Sequence, residues 1–289
     1  MSNNTFIAKN VDNNSEGAGL VSIDTVSITG DLSGNQFIAD DNGDHASGWI
    51  AAGDITITGN VIGNTFNSSN NIVGTGWLIS GTTTIGGNVT GNTFTSSNNI
   101  VVGRGLILSG STTVDIAGSV TDNTFISSDN GRRGYGIRDA GGSELTITGN
   151  FSNNNFTINE NGSASVKFNR GVFLHGDATF EGLVNNNTIN ITDSISAENA
   201  GFYIEIGSGK TVTFDQAISG NTITINSDTA GNYGFSLSAT ISSGGITFTG
   251  NSQSDLSSLN NNASILIDAT NNNVIFGFCR KKVILMYTE

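Results

Sequence analysis

A six-residue string returns along this chain at a nearly fixed interval, and such self-similarity restricts the fold more than any other feature of a sequence. It reads VIGNTF from Val61, VTGNTF from Val89, VTDNTF from Val120 and FSNNNF from Phe151. Looser copies are LSGNQF from Leu32, VNNNTI from Val184 and ISGNTI from Ile218, with a clipped SNNTF from Ser2. The shared asparagines are Asn4, Asn35, Asn64, Asn92, Asn123, Asn154, Asn187 and Asn221, separated by 31, 29, 28, 31, 31, 33 and 34 residues.

Two further columns keep phase with the first. Before each asparagine lies an alternating stretch: VSITG from Val26, ITITG from Ile55, TTIGG from Thr83, VDIAG from Val114 and LTITG from Leu145, then VTFDQ from Val212 and ITFTG from Ile246. After each comes a glycine followed by an apolar residue, at Gly19, Gly48, Gly76, Gly105, Gly136, Gly171, Gly201 and Gly234. Alternation with period two and β-branched enrichment mark the pieces as strands. No segment shows the apolar spacing of an amphipathic helix.

A unit of about 30 residues, with three strands and no helix, predicts one coil of a parallel β-solenoid. Eight to nine coils at the strand spacing of about 4.8 Å give a rod of roughly 40 Å. Stacking sets like residues over like. Phe6, Phe37, Phe66, Phe94, Phe125 and Phe156, continued by Ile189 and Ile223, should form an internal ladder. Val26 and Ile28, Ile55 and Ile57, Val114 and Ile116, and Leu145 and Ile147 should point inward, with the intervening Ser and Thr outward. The asparagines should occupy left-handed corners, which Asn tolerates, and bond amide to amide between coils. Residues 1–250 read as the repeat array, and 251–289 as a degenerate last coil followed by a basic and apolar tail.

Composition agrees with this reading. The 289 residues include 40 asparagines, 39 glycines and no proline, and proline cannot donate to an interior ladder. Disordered Asn/Gly/Ser-rich chains share the composition but do not keep phased apolar columns. Charged residues are 12% and the net charge is −13, with only eight scattered basic residues before Arg280. That argues against electrostatic nucleic-acid binding, which needs clustered Lys and Arg. The single cysteine, Cys279, allows no internal disulfide. No apolar run reaches the ~18 residues of a membrane-spanning helix, and the first ten residues lack the regions of a signal peptide.

The phased V-x-G-N-T-F and I-T-I-T-G strings resemble the passenger repeats of bacterial autotransporter-type adhesins, within the pectin-lyase-like right-handed β-helix superfamily. The resemblance covers roughly residues 2–250 and lies in repeat style, not in a catalytic signature. It implies an exported, surface-displayed or secreted, non-enzymatic rod acting in adhesion. Its partners would be host or bacterial surface glycans or proteins, or further copies meeting through the solenoid ends. Neither a signal peptide nor a C-terminal barrel accompanies the repeats, so the chain reads as a piece of a longer product.

Candidate chemistry is sparse. Arg132, Arg133, Arg138, Lys167 and Arg170 sit in two neighbouring turns of the repeat and could form a basic patch for an anionic glycan. Asp40, Asp41 and Asp44 cluster beside His45 and offer hard oxygens to calcium, but their spacing matches no calcium loop; a solvated acidic turn is the simpler reading. His175 stands alone. A polysaccharide-active enzyme needs two carboxylates flanking the bond; Asp115, Glu181 and Asp215 fall near equivalent outward positions but on separate coils. Outward Thr56, Thr84, Thr146, Thr179, Thr213 and Thr247 recur once per coil, a spacing loosely similar to ice-binding solenoids. No cofactor is implied.

Overall fold

The computed structural model describes residues 1–9, 17–41, 43–159, 168–193, 198–205, 210–227 and 232–238, and the strands Ile246–Thr249, Ser252–Ser254, Ala263–Asp268, Val274–Phe276 and Val283–Met286. It is an all-β parallel solenoid. One coil runs through Thr65–Ser69, Val73–Ile79, Thr83–Ile85 and Val89–Thr90. The next repeats it as Thr93–Ser97, Val102–Leu108, Thr113–Ile116 and Val120–Thr121. Equivalent strands pair in parallel and in register, such as Phe94 with both Phe66 and Phe125. Among the described residues the stack therefore has four sheets, of nine, ten, seven and nine strands. They are called below the phenylalanine, long, threonine and short sheets, in the order a coil visits them. The coil count thus varies with the sheet, against the eight to nine expected from the repeat.

The coil has four strands where the repeat predicted three. The V-x-G-N-T-F string is two strands, bent at its middle. The bend lies in the residue before the asparagine: Gly34, Gly63, Gly91 and Gly220 have φ of 61–65°, and Asp122, Asn153 and Asn186 have φ of 55–58°. This corrects the expectation that the repeated asparagine itself takes the left-handed conformation. Glycine, Asn and Asp are the residues that adopt it most readily, and the asparagine behind them is left free to bond along the rod.

That bonding is complete. The Oδ1 of Asn92 accepts from both the backbone N and the Nδ2 of Asn64, at 2.9 and 3.0 Å. The Nδ2 of Asn92 donates to Asn123 Oδ1 at 3.0 Å and back to the Val61 carbonyl at 2.8 Å. The same pattern runs from Asn4 and Asn35 through Asn154 and Asn187 to Asn221. Asn35, Asn64, Asn92, Asn123, Asn154, Asn187 and Asn221 are at most 1% exposed. Two shorter ladders occupy other corners. Asn71, Asn99 and Asn130 form a buried one, each bonded to a serine three residues earlier. Asp31, Asn60, Asn88, Ser119 and Asn150 form an exposed one.

Inside, the phenylalanine rings stack as expected, with centroids 4.7–5.2 Å apart from Phe6 to Phe156 and planes within 10°. Trp49 and Trp77 lie across the interior from Phe37 and Phe66, 5.0 Å from each other. Aliphatic pairs of the threonine sheet, such as Ile55 and Ile57, close the core. Thr247, expected in the outward threonine column, departs from it: Ile246–Thr249 pairs within the short sheet. In the long sheet Ala263–Asp268 pairs with the strand before it, and Val283–Met286 pairs in turn with Ile265–Asp268.

Replacing Asn92 by alanine orphans buried groups on both neighbouring coils, each costing about 1–3 kcal/mol. Chemical denaturation of Asn92→Ala should show a loss of at least about 3 kcal/mol by that reckoning, whereas Thr93→Ser, half-buried beside it, should change little. A second expectation concerns the tryptophans. Trp49 Nε1 donates to Ser22 Oγ at 3.0 Å, but Trp77 Nε1 is buried without a partner. The cause is that Ala51 occupies the position on the coil below that Ser22 occupies for Trp49. Ala51→Ser should therefore stabilise the rod by about 1 kcal/mol, read as a higher melting temperature; a lower one would mean the hydroxyl has no room against the indole.

Candidate functional site

The long sheet presents the most distinctive outer surface, and its glycine column creates it. A Cβ at Gly76 would lie 2.5 Å from the Gly105 carbonyl oxygen, one at Gly105 2.7 Å from Gly136, and one at Gly136 2.6 Å from Gly171. Only glycine lets successive backbones approach this closely. The pleat shifts at this column. The residue before each glycine and the residue two after it face outward, while the residue directly after it faces the core.

This places two outward rows along the rod. The first runs Ser47, Thr75, Arg104, Tyr135, Arg170 and Ala200. The second runs Ile50, Leu78, Ile107, Arg138, Phe173 and Tyr203. The arginines never sit over one another: each is separated from the next in its row by aromatic or apolar residues. Arg170 lies over the rings of Tyr203, Phe173 and Phe168 at 3.6, 4.5 and 4.6 Å. Arg138 lies 5.3 Å from the Tyr135 centroid and Arg133 5.5 Å from that of Phe168. Such cation–ring contacts replace the like-charge stacking that exact repetition would impose.

The cluster is only partly neutralised. Arg170, 5% exposed, pairs with Glu198 at 2.8 Å. Among the described residues no carboxylate lies within ion-pair distance of Arg104, Arg133 or Arg138. Burial, then the neighbouring charges of Arg138 and Arg133, pull the Arg104 guanidinium down to about 10. Burial and the Glu198 carboxylate push the Tyr203 phenol up to about 12.

The sequence-predicted residues are distributed as follows. Arg133 and Arg138 stand on one strand, Arg133–Asp139, rather than in a turn, and Arg170 is on Phe168–Leu174. Arg132 is exposed at the corner before its strand, and Lys167 lies outside the described residues. Arg104, Tyr135, Phe173, Tyr203 and Glu198 were not singled out by the patch reading. The glycine column could have located most of them, since Arg104 and Tyr135 directly precede Gly105 and Gly136, and Phe173 and Tyr203 follow two residues after Gly171 and Gly201.

The acidic turn is engaged internally: Asp40 accepts from Ser69 and Asn70 and pairs with Lys9 at 3.3 Å. Asp44 pairs with His45 at 3.0 Å, and Asp41 has φ of 55°. Among the described residues no three His, Cys, Asp or Glu side chains are gathered closely enough to hold a metal ion. Asp139 is the most heavily bonded acid among the described residues. It accepts from the Ser143 hydroxyl and from the backbone N of Gly141, His175 and Gly176. Serine, aspartate and histidine meet here, but the His175 ring nitrogen Nδ1 bonds the Glu205 carbonyl, 2.6 Å away. The group is a corner clamp without the base-to-nucleophile contact of a triad.

Asp115 shares its column with Thr84 and Thr146. Glu181 does not: it follows the strand Asp177–Phe180, and the register of Phe180 with Phe214 sets it beside Asp215 on the next coil. Both acids are exposed at that corner. Among the described residues no helix is long and apolar enough to cross a membrane.

Glu198→Gln should leave the buried Arg170 charge unpaired. A loss on the order of 2 kcal/mol is expected, below the range for a fully buried pair because Glu198 is partly exposed. The Tyr203 phenol should then titrate below about 12 in NMR-monitored alkaline titration, since the carboxylate that helps raise it is gone. Compared with protein-family models, curated proteins and solved structures, the chain matches none.

Proposed function

We propose that this chain is a rigid, non-enzymatic display rod, a secreted or cell-surface solenoid that binds through the outer face of its long sheet. The observation that carries the reading is the arginine–aromatic cluster on that face. Three guanidiniums without a carboxylate partner among the described residues are held in place on a molecule of net charge −13. Groups of this kind bind; they supply neither a general acid nor a nucleophile. Four in-register sheets and the asparagine ladders give the stiffness that display requires. The resemblance of the repeats to autotransporter-type adhesin passengers points the same way and suggests surface glycans or proteins as partners.

One observation favours a second reading, a polysaccharide-active enzyme. The backbones at Glu181 and Asp215 stand about one strand spacing apart, which lets their carboxylates reach the separation used by retaining glycosidases. Their exposure argues against it, because a catalytic acid works from an enclosed site.

The two readings separate in one experiment. The full chain is incubated with immobilised acidic and neutral polysaccharides, and both retention and new reducing ends are measured. The display reading expects retention on acidic polymers with no new reducing ends. Reducing ends that appear with the wild-type chain and vanish with Glu181→Gln would replace it with the enzymatic one.

A further inference from the structure

The outer face of the long sheet contains a groove of about 280 Å³ that crosses four successive strands, from His45–Ala51 to Arg133–Asp139. Its floor is Ile50, Leu78 and Ile107, with Ser47 and Thr75 alongside. Arg104 and Arg138 line its other end. The Nε atoms of both arginines are buried and have no hydrogen-bond partner. Neither has a carboxylate partner among the described residues, in contrast to Arg170, one strand beyond Arg138 and two beyond Arg104, which pairs with Glu198 on the strand after it. Two adjacent, half-buried guanidiniums repel each other and lose hydration, so the arrangement opposes folding unless an anion completes it.

We propose that Arg104 and Arg138 bind an oxyanion, carboxylate or sulfate, carried by an acidic saccharide chain that lies along the groove. This deepens the proposed display role and rests on the reading of this face as a binding surface.

Three features select the ligand. Arginine forks match carboxylate and sulfate oxygens in bidentate geometry. The hydroxyls of Ser47 and Thr75 and the guanidinium of Arg104 follow one another in register, one per coil. Their repeat of about 4.8 Å is close to the length of one pyranose unit, so successive sugar residues meet successive coils. The aliphatic floor suits the C–H faces of those rings. A bound peptide strand is disfavoured because these strands are interior to a ten-stranded sheet and have no free edge, which strand addition requires.

The test is calorimetric titration of the full chain with three probes: a uronate hexasaccharide, a neutral hexasaccharide and inorganic sulfate. Each is run on the wild type, Arg104→Gln, Arg138→Gln and the double variant. Saturable binding of the uronate hexasaccharide is expected, at least about tenfold tighter than the neutral one, the factor that one charge-assisted hydrogen-bond pair supplies. It should be lost in the double variant. The variants should melt no lower than wild type, because they remove unpaired charge, so loss of binding is not loss of fold. Arg104→Lys should keep some affinity, having charge without the fork. Sulfate binding as tight as the hexasaccharide would overturn the saccharide assignment. Undiminished binding in the double variant would overturn the site. Retention of acidic polymers that survives in the double variant would leave the display reading standing while this site falls, whereas cleavage of the polymers would remove the display reading itself.

Discussion

The asparagine ladder is the interaction on which the rest of the rod depends. Each amide accepts two hydrogen bonds from the coil before it and donates to the coils on both sides, so its capacity is filled with no water required. A buried amide tolerates little displacement, because each unpaired group costs about 1–3 kcal/mol. The ladder therefore fixes the height and the register of every coil. A slip of one residue would turn the inward side chains of a strand outward and break the ladder at the same step. The left-handed residue in front of each asparagine turns the backbone so that the amide aligns with the rod axis, which explains why that position holds only Gly, Asp or Asn.

Exact register has consequences for chemistry. Residues stacked about 4.8 Å apart gain when they are alike and apolar, as the phenylalanine rings show. They lose when they are alike and charged. Charged residues are accordingly scarce, at 12% of the chain. Where cations do gather, on the outer face of the long sheet, aromatic or apolar residues stand between them in each row. Arg104, Tyr135 and Arg170 alternate in one row, and Ile107, Arg138 and Phe173 in the other. A periodic scaffold thus holds an aperiodic cluster without like charges in direct register.

Much of the fold was legible because a solenoid turns periodicity directly into contact. The eight spaced asparagines, the phenylalanine column and the alternating ITIT strings each became a ladder or a sheet face. The misreadings have local causes. The V-x-G-N-T-F string looked like one strand because its apolar ends obey a period of two, while the bend at Gly63 or Asp122 depends on a single dihedral angle. The Asn71, Asn99 and Asn130 ladder was missed although SSNN, SSNN and SSDN mark it, since serine- and asparagine-rich turns occur without any ladder. Arg133 and Arg138 are close enough in sequence to read as one turn. Counted from Gly136, they fall at opposite ends of one strand.

By itself the sequence determined the coil: its length, the residues that stack, and which of them face the core, because each of these follows from spacing and polarity along the chain. Only the tertiary structure decided which charges are neutralised. Arg170 meets Glu198 and Arg104 meets no acid among the described residues, although both precede a glycine of the same column. That difference depends on what the adjacent coil supplies at the same height, and residues 28 positions apart become neighbours only when the coils close on one another.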